Sequence, residues 1–180
     1  TFFRAKELRK IRELSLQSSV VRFMMDLEHD NLTSLRWLSL QHAGGEHDLV
    51  ALTNTPWFPN LETLVLYSFS INAKTTAALG TNIGLRELQI VDSRMGHDAA
   101  SVLVGSGALR HVRTLALRHA RLGEGDASLF ETQKDWRALT ALDLRTNTLR
   151  ARDAGIIAEL FPNLRVLDLG NNPTFGMQGI

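Results

Sequence analysis

One short motif recurs along nearly the whole chain and constrains the fold more than any other feature. Its last copy is LRVLDL at residues 164–169, in which the leucines are spaced three and then two residues apart. The spacing occurs in seven stretches: IRELSL, LRWLSL, LETLVL, LRELQI, VRTLAL, LTALDL and LRVLDL. Their middle leucines, Leu14, Leu38, Leu64, Leu88, Leu115, Leu142 and Leu167, are separated by 24, 26, 24, 27, 27 and 25 residues. Seven copies at this period predict a solenoid of stacked repeats.

The spacing within each motif predicts a strand with one buried face. Alternate side chains of a strand face opposite sides, so the last two apolar residues of each motif point inward. A single strand cannot bury that face, whereas stacked parallel strands bury it continuously. A further apolar residue stands three positions before most motifs: Leu8, Leu32, Phe58, Leu109, Trp136 and Phe161, with Asn82 in the fourth repeat.

The segments between the motifs must return the chain to the start of the next strand. Apolar residues at helical spacing predict helices over 20–27, 97–104 and 151–160, and a shorter helix over 73–79. Asp153 lies near the start of the helix over 151–160, where a carboxylate is favoured. The segment 123–136 contains two glycines and is predicted to be partly loop.

Composition excludes several classes of protein. The 180 residues are 44% hydrophobic and 22% charged, with a net charge of +1, so no overall field favours nucleic acid or an anionic membrane. There is no cysteine, which excludes disulfides, thiolate zinc sites and a cysteine nucleophile and leads us to expect a cytoplasmic protein. No apolar run is long enough to span a membrane. We expect one domain over residues 1–180, cut from a longer chain because residue 1 is not methionine.

Residues suited to chemistry occur, but not in catalytic patterns. The triplet EHD occurs at residues 28–30 and 46–48, and GHD at 96–98. All three fall on return segments, where capping and the helix dipole explain a carboxylate. No HExxH, GxSxG, GxGxxG or GxxxxGK[ST] pattern is present. We therefore expect no catalytic residue, no metal site and no cofactor.

The stretches LTALDLRTN and LRVLDLGNN carry the pattern LxxLxLxxN, which resembles the leucine-rich repeat. The helical returns make the chain similar to the ribonuclease-inhibitor-like subclass over residues 8–180. The asparagine that joins neighbouring turns in this family matches only Asn147 and Asn172. The other repeats carry Ser19, Ala43, Phe69, Ser93 and Ala120 there.

The resemblance implies an α/β leucine-rich-repeat solenoid of about seven repeats, with parallel strands on the concave face and helices or turns on the convex face. It implies a protein–protein interaction module that binds a protein partner on the concave sheet face and has no catalysis of its own. Two alternatives remain open. One is a regulator of a partner enzyme, such as a GTPase activator, and the other is the recognition region of a larger effector or sensor protein.

Two zones of the concave face are candidate partner-binding sites. In the second to fourth repeats, outward apolar and aromatic residues are typical of interface anchors. The alternatives there are a strand slightly out of this register or a face covered by an N-terminal region that precedes residue 1 in the expected longer chain. In the fifth to seventh repeats, outward arginines stand beside aspartates, as either a polar hot spot or ion pairs on a solvated sheet. The candidate residues are Trp37, Thr63, Val65, Tyr67, Gln89, Val91, Arg118, Asp143 and Arg145.

A third set of residues stands at the start of the strands. It contains Arg12, Arg36, Arg86, Arg113 and Arg165, interrupted by Glu62 and Thr140. Such a row can contact phosphates or an acidic protein. Because Glu13, Glu62 and Glu87 lie nearby and the net charge is near zero, we do not expect a nucleic-acid partner.

Overall fold

A computed structural model describes residues 8–17, 32–41, 46–82, 84–132 and 136–172. Within them, seven parallel strands form one sheet in the order of the sequence. The strands are β1 Glu13–Gln17, β2 Trp37–Gln41, β3 Thr63–Tyr67, β4 Glu87–Val91, β5 Thr114–Arg118, β6 Ala141–Asp143 and β7 Val166–Asp168. Their register aligns the seven middle leucines, as Leu14 pairs with Leu38 and Leu142 with Leu167. The α/β leucine-rich-repeat solenoid expected from the motif is the fold of the chain.

The core lies behind the sheet and is built by the predicted inward positions. Leu38, Leu64, Leu88, Leu115 and Leu142 are fully buried. The apolar residues three positions before the motifs are buried as well: Leu8, Leu32, Phe58, Leu109, Trp136 and Phe161. Each repeat buries its inner face only against its neighbours, and burial of this kind is the main stabilising contribution.

Asn82 occupies the same buried position in the fourth repeat. Its side-chain amide donates to the carbonyl of Phe58 at 2.7 Å and accepts from the backbone N–H of Gly84 at 2.7 Å. A buried amide is tolerated when it is hydrogen-bonded. The exception in the sequence is therefore a polar link between the third and fourth repeats.

The return segments form helices on the other side of the core. The helices are α1 Glu46–Thr53, α2 Ala73–Leu79, α3 Gly96–Gly105 and α4 Ala151–Leu160, with 3₁₀ helices at Phe58–Asn60, Ala108–His111 and Asp126–Thr132. The predictions over 73–79, 97–104 and 151–160 agree with α2, α3 and α4, and the one over 20–27 lies outside the described residues. The segment 123–136 contains a 3₁₀ helix in addition to the predicted loop. None of the helices described is long and apolar enough to cross a membrane.

Asp153 joins α4 to the preceding repeat. Its carboxylate accepts the backbone N–H of Arg150 at 2.8 Å, which caps the start of the helix. The other carboxylate oxygen accepts the backbone N–H of Gly125 at 3.0 Å, although Asp153 is almost fully buried. The favourable carboxylate expected at this helix start also serves as a bridge between repeats.

The asparagines Asn147 and Asn172 join neighbouring turns, as the resemblance implies. Asn147 accepts the backbone N–H of Ala120 and Leu122 and donates to the carbonyls of Leu117 and Leu144. Asn172 makes the corresponding bond to the N–H of Leu149. In the fourth repeat, the hydroxyl of Ser93 accepts the N–H of Phe69 at 3.2 Å. The equivalent Ser19 and Ala43 lie outside the described residues.

Candidate functional site

The strand register arranges the outward residues of the concave face in three rows. The row at the start of the strands contains Glu13, Trp37, Thr63, Glu87, Thr114, Ala141 and Val166. The middle row contains Ser15, Ser39, Val65, Gln89, Ala116, Asp143 and Asp168. The row at the end of the strands contains Gln17, Gln41, Tyr67, Val91 and Arg118. Every predicted site residue on a described strand therefore lies on the predicted face, and Arg145 lies two residues beyond the end of β6.

Three members of the middle row are buried although they point outward. Ser39, Val65 and Ala116 have 7%, 4% and 2% of their surfaces accessible, whereas Ser15 in the same row is exposed and Gln89 is partly buried. The larger side chains of Trp37 and Tyr67 stand beside Ser39 and Val65 in the flanking rows. The repeat pattern placed these three residues on the outward face but did not predict their burial.

The apolar zone is less exposed than the sequence led us to expect. The expectation that Val65 and Val91 are exposed is wrong, because only 4% and 8% of their surfaces are accessible. Trp37 and Tyr67 are half-buried, and they stand at opposite ends of the adjacent strands β2 and β3. These four residues therefore do not form one exposed patch. The half-buried rings of Trp37 and Tyr67 lie on either side of the buried Val65.

The structure brings the three predicted charged residues together. The guanidinium Nε of Arg118 lies 2.5 Å from Oδ2 of Asp143, and the Arg145 guanidinium lies 2.9 Å from the same oxygen. Arg145 also reaches Asp168, with Nε 3.1 Å from Oδ2. The four groups form a chain of alternating sign across β5, β6 and β7, which we call the charged chain.

The charged chain sets the protonation of its central carboxylate. Burial raises the pKa of Asp143, but hydrogen bonds from the side chain and backbone of Arg145 and from Arg118 outweigh it, so the pKa lies below its ordinary value. The hydrogen bond to Asp143 raises the pKa of the Arg145 guanidinium. Both shifts favour the charged forms of Asp143 and Arg145, which stabilise each other as an ion pair.

A depression lies beside the charged chain on the concave face. Its volume is about 180 Å³, and it is lined by Gln89, Thr114, Ala116, Ala141, Asp143 and Val166 among others. Sites for small molecules and cofactors usually measure about 300–1,000 Å³. This depression is smaller and open, so its size suits one side chain of a macromolecule. Val166 on its rim is a large apolar residue with 57% of its surface exposed.

The EHD at 46–48 and the GHD at 96–98 lie in helices and not on the concave sheet face. Glu46 and Asp48 lie in the first turn of α1, and His97 and Asp98 lie in the first turn of α3. The EHD at 28–30 and His42 lie outside the described residues. His119 contacts Asp92 at 3.0 Å as an exposed pair. Over the described ranges, no three metal-ligating side chains come together.

His97 forms a pH-sensitive contact between α3 and the following repeat. Its Nδ1 lies 2.6 Å from Oδ1 of Asp126, whose other oxygen accepts the N–H of Gly123. The hydrogen bond to Asp126 raises the pKa of His97. A histidine whose pKa is higher in the folded than in the unfolded protein stabilises the fold fully at pH values below the unfolded pKa of about 6.5. This contribution is lost as the pH rises through the folded pKa.

We expect His97→Gln to lower the melting temperature more at pH 6 than at pH 8.5. The difference corresponds to at most about 1 kcal/mol, because 59% of the His97 side chain is exposed to solvent. The matched control is His111→Gln, which removes an exposed histidine with no described carboxylate partner. Thermal unfolding followed by circular dichroism at both pH values measures the effect. An equal loss at pH 6 and pH 8.5 contradicts the assignment.

Searches against family models and against curated proteins find no match to the chain. Solved structures are similar to it. One is an internalin (inlF) from Listeria monocytogenes, with a TM-score of 0.58 and 18% identity, covering 92% of this chain and 43% of that one. Another is an internalin C2 (inlC2) from the same organism, with a TM-score of 0.50 and 16% identity, covering 92% of this chain and 84% of that one. The chain thus spans less than half of the first structure. At these identities the likeness concerns the fold alone, and this fold is the leucine-rich-repeat solenoid.

Proposed function

We propose that this solenoid is a recognition module that binds a protein partner on its concave face and performs no catalysis of its own. The observation that carries the proposal is the depression on the concave face, which members of the charged chain help to line. Its volume suits one side chain, and it lies on a broad sheet face whose outward residues vary from strand to strand. This site supports the proposal more than the fold does, because a shared fold does not define a partner.

The two ends of the face offer different contacts. Trp37 and Tyr67 are half-buried aromatic residues, and such residues combine a large contact area with little loss of conformational entropy. Val166 offers an exposed apolar contact at the other end. Arg118 and Asp143 already satisfy each other, so we assign the charged chain to orientation and specificity more than to affinity.

We further propose that the chain is similar to the ribonuclease-inhibitor-like subclass of this fold. Support comes from α-helices in the returns after β2, β3, β4 and β6. Among its described residues, the return after β5 contains a 3₁₀ helix, Asp126–Thr132, in place of an α-helix, which departs from a regular αβ repeat. A cytoplasmic location also stays a prediction, and it rests on the lack of cysteine.

We expect the double substitution Trp37→Ala, Tyr67→Ala to weaken binding of a partner at least about tenfold. Truncating two interface anchors removes buried contact area, and each such truncation commonly costs more than about 1 kcal/mol. The measurement is affinity capture from a lysate with the immobilised 180-residue chain, with quantification of the bound proteins by mass spectrometry. A protein retained by the wild type and lost by the double variant identifies both the partner and the face.

The matched control for this experiment is Arg152→Ala, Glu159→Ala, which changes two exposed side chains of α4. A genuine concave-face partner stays bound to this control. Equal capture by the concave variant and by the wild type contradicts the proposed site. A covalent change in the captured protein that depends on this chain contradicts the absence of catalysis. Faster turnover by a captured enzyme would identify the regulator alternative.

A further inference from the structure

Exposed cations are concentrated along the edge of the sheet where the strands begin. They occur at two kinds of position, directly before a strand and on the turn that precedes it. The set contains Arg9, Lys10, Arg12, Arg36, Arg86, Arg110, Arg113, Arg137 and Arg165, and each of them is exposed. Glu62 is the one acidic residue at these positions in the described chain.

The backbone holds these residues in register. The carbonyl of Arg12 accepts the N–H groups of Arg36 and Trp37, and the carbonyl of Arg36 accepts those of Glu62 and Thr63. The carbonyl of Arg86 likewise accepts the N–H groups of Arg113 and Thr114. Because the pattern repeats from strand to strand, side chains directly before the strands stand about 4.8 Å apart in a fixed row.

Four of these arginines form a compact group, which we call the basic edge cluster. Arg86 and Arg113 are equivalent in consecutive repeats, and so are Arg110 and Arg137. Arg110 lies in the 3₁₀ helix Ala108–His111, three residues before Arg113, which directly precedes β5. The cluster therefore spans the fourth to sixth repeats and is widened by His111.

The basic edge cluster lacks carboxylate partners in the part of the chain that the structure describes. On this edge the recorded ion pair is Arg36 with Glu62, at 3.8 Å. On other surfaces several cations are paired, such as Lys74 with Glu46 at 2.9 Å and Arg150 with Glu124 at 2.8 Å. Arginines fixed side by side repel one another, and an anionic partner relieves that repulsion.

We propose that the basic edge cluster is a second binding surface, separate from the concave face, and that it takes an acidic segment of a protein. Guanidinium groups match carboxylates through two parallel hydrogen bonds. In an extended segment, alternate side chains stand about 6.8 Å apart, a spacing that long arginine side chains on neighbouring strands can meet. The segment lies across the strands, with its carboxylates over the cluster.

The surroundings of the cluster favour a protein over a nucleic acid. Single-stranded nucleic acid binds through basic grooves combined with aromatic side chains on which bases stack. The described positions along this edge carry no exposed aromatic residue, since Phe58, Trp136 and Phe161 there are buried.

Binding of fluorescein-labelled octaglutamate to the 180-residue chain tests the proposal by fluorescence anisotropy at low salt. We expect the double variant Arg110→Gln, Arg113→Gln to bind about tenfold more weakly than the wild type. The matched control, Arg94→Gln, Arg121→Gln, removes the same charge from exposed positions at the opposite edge of the sheet, and we expect less than a twofold change. The double variant Arg110→Lys, Arg113→Lys keeps the positive charge but lacks the guanidinium groups. We expect its affinity for octaglutamate to lie between those of the wild type and the variant Arg110→Gln, Arg113→Gln.

Three results would overturn the proposal. Equal weakening of octaglutamate binding by the two glutamine variants would show that binding depends only on the net charge of the chain. Lack of octaglutamate binding by the wild type would show that the cluster is not a binding surface for acidic segments. Tighter binding of octauridylate than of octaglutamate would assign the cluster to nucleic acid. Melting curves of all the variants accompany the titrations, and the lysine variant provides the comparison if a glutamine variant is less stable.

Discussion

Replacing Leu115 with alanine is expected to lower the free energy of unfolding by about 3 kcal/mol. Leu115 is fully buried at the middle position of the fifth repeat, and the register places it between Leu88 and Leu142. In a solenoid each repeat contacts only its neighbours, so a cavity here weakens two interfaces at once. Urea unfolding followed by far-ultraviolet circular dichroism measures the change.

The matched control is Leu14→Ala, the same substitution at the equivalent position of β1. Leu14 is only partly buried, and β1 pairs with β2 alone in the described sheet. We expect a loss of about 1 kcal/mol, in keeping with the smaller apolar area removed from water. Similar losses for the two variants would mean that stability does not depend on stacking between neighbouring repeats.

Replacing Asn147 with alanine is expected to cost about 3 kcal/mol, although the side chain is small and polar. Asn147 is 4% exposed and serves the backbone of two repeats. Its loss leaves the N–H groups of Ala120 and Leu122 without their partner, together with the carbonyl of Leu117. Each buried unpaired group costs about 1–3 kcal/mol, and partial access of water reduces the sum.

Ser93→Ala is the matched control for Asn147. Ser93 occupies the equivalent position in the fourth repeat, where its hydroxyl accepts a single backbone N–H, that of Phe69. We expect a loss of about 1 kcal/mol in the same urea titration. If Asn147→Ala were no more destabilising than Ser93→Ala, the side chain would not be the link between turns that its geometry indicates.

The sequence was most informative where one residue type repeats at a fixed period. The seven strands, their faces and the helices α2, α3 and α4 agree with the pattern, because the inner face of every repeat must be apolar for stacking to bury it. The helix α1 was not predicted. Its eight residues bury only Leu49 and Leu52, which is too short a pattern to identify a helical period.

Properties that depend on neighbours in space were not predictable in the same way. Val65 and Val91 lie on the outward face as expected, yet flanking side chains cover them, and the repeat pattern carries no information about that cover. Asn82 interrupts the apolar pattern of the sequence. Its hydrogen-bond partners, Phe58 and Gly84, become evident only in the fold. The ion pairs among Arg118, Asp143, Arg145 and Asp168 were one of two alternatives until the register fixed their distances.

Contact between the concave face and the partner is tested most directly by site-directed photo-cross-linking. A benzoylphenylalanine placed at Gln89 lies on the face beside the depression, and one placed at Arg152 lies on α4. We predict that the captured protein cross-links from position 89 and not from position 152. Cross-linking from position 152 alone, or equally from both positions, would contradict a concave binding face.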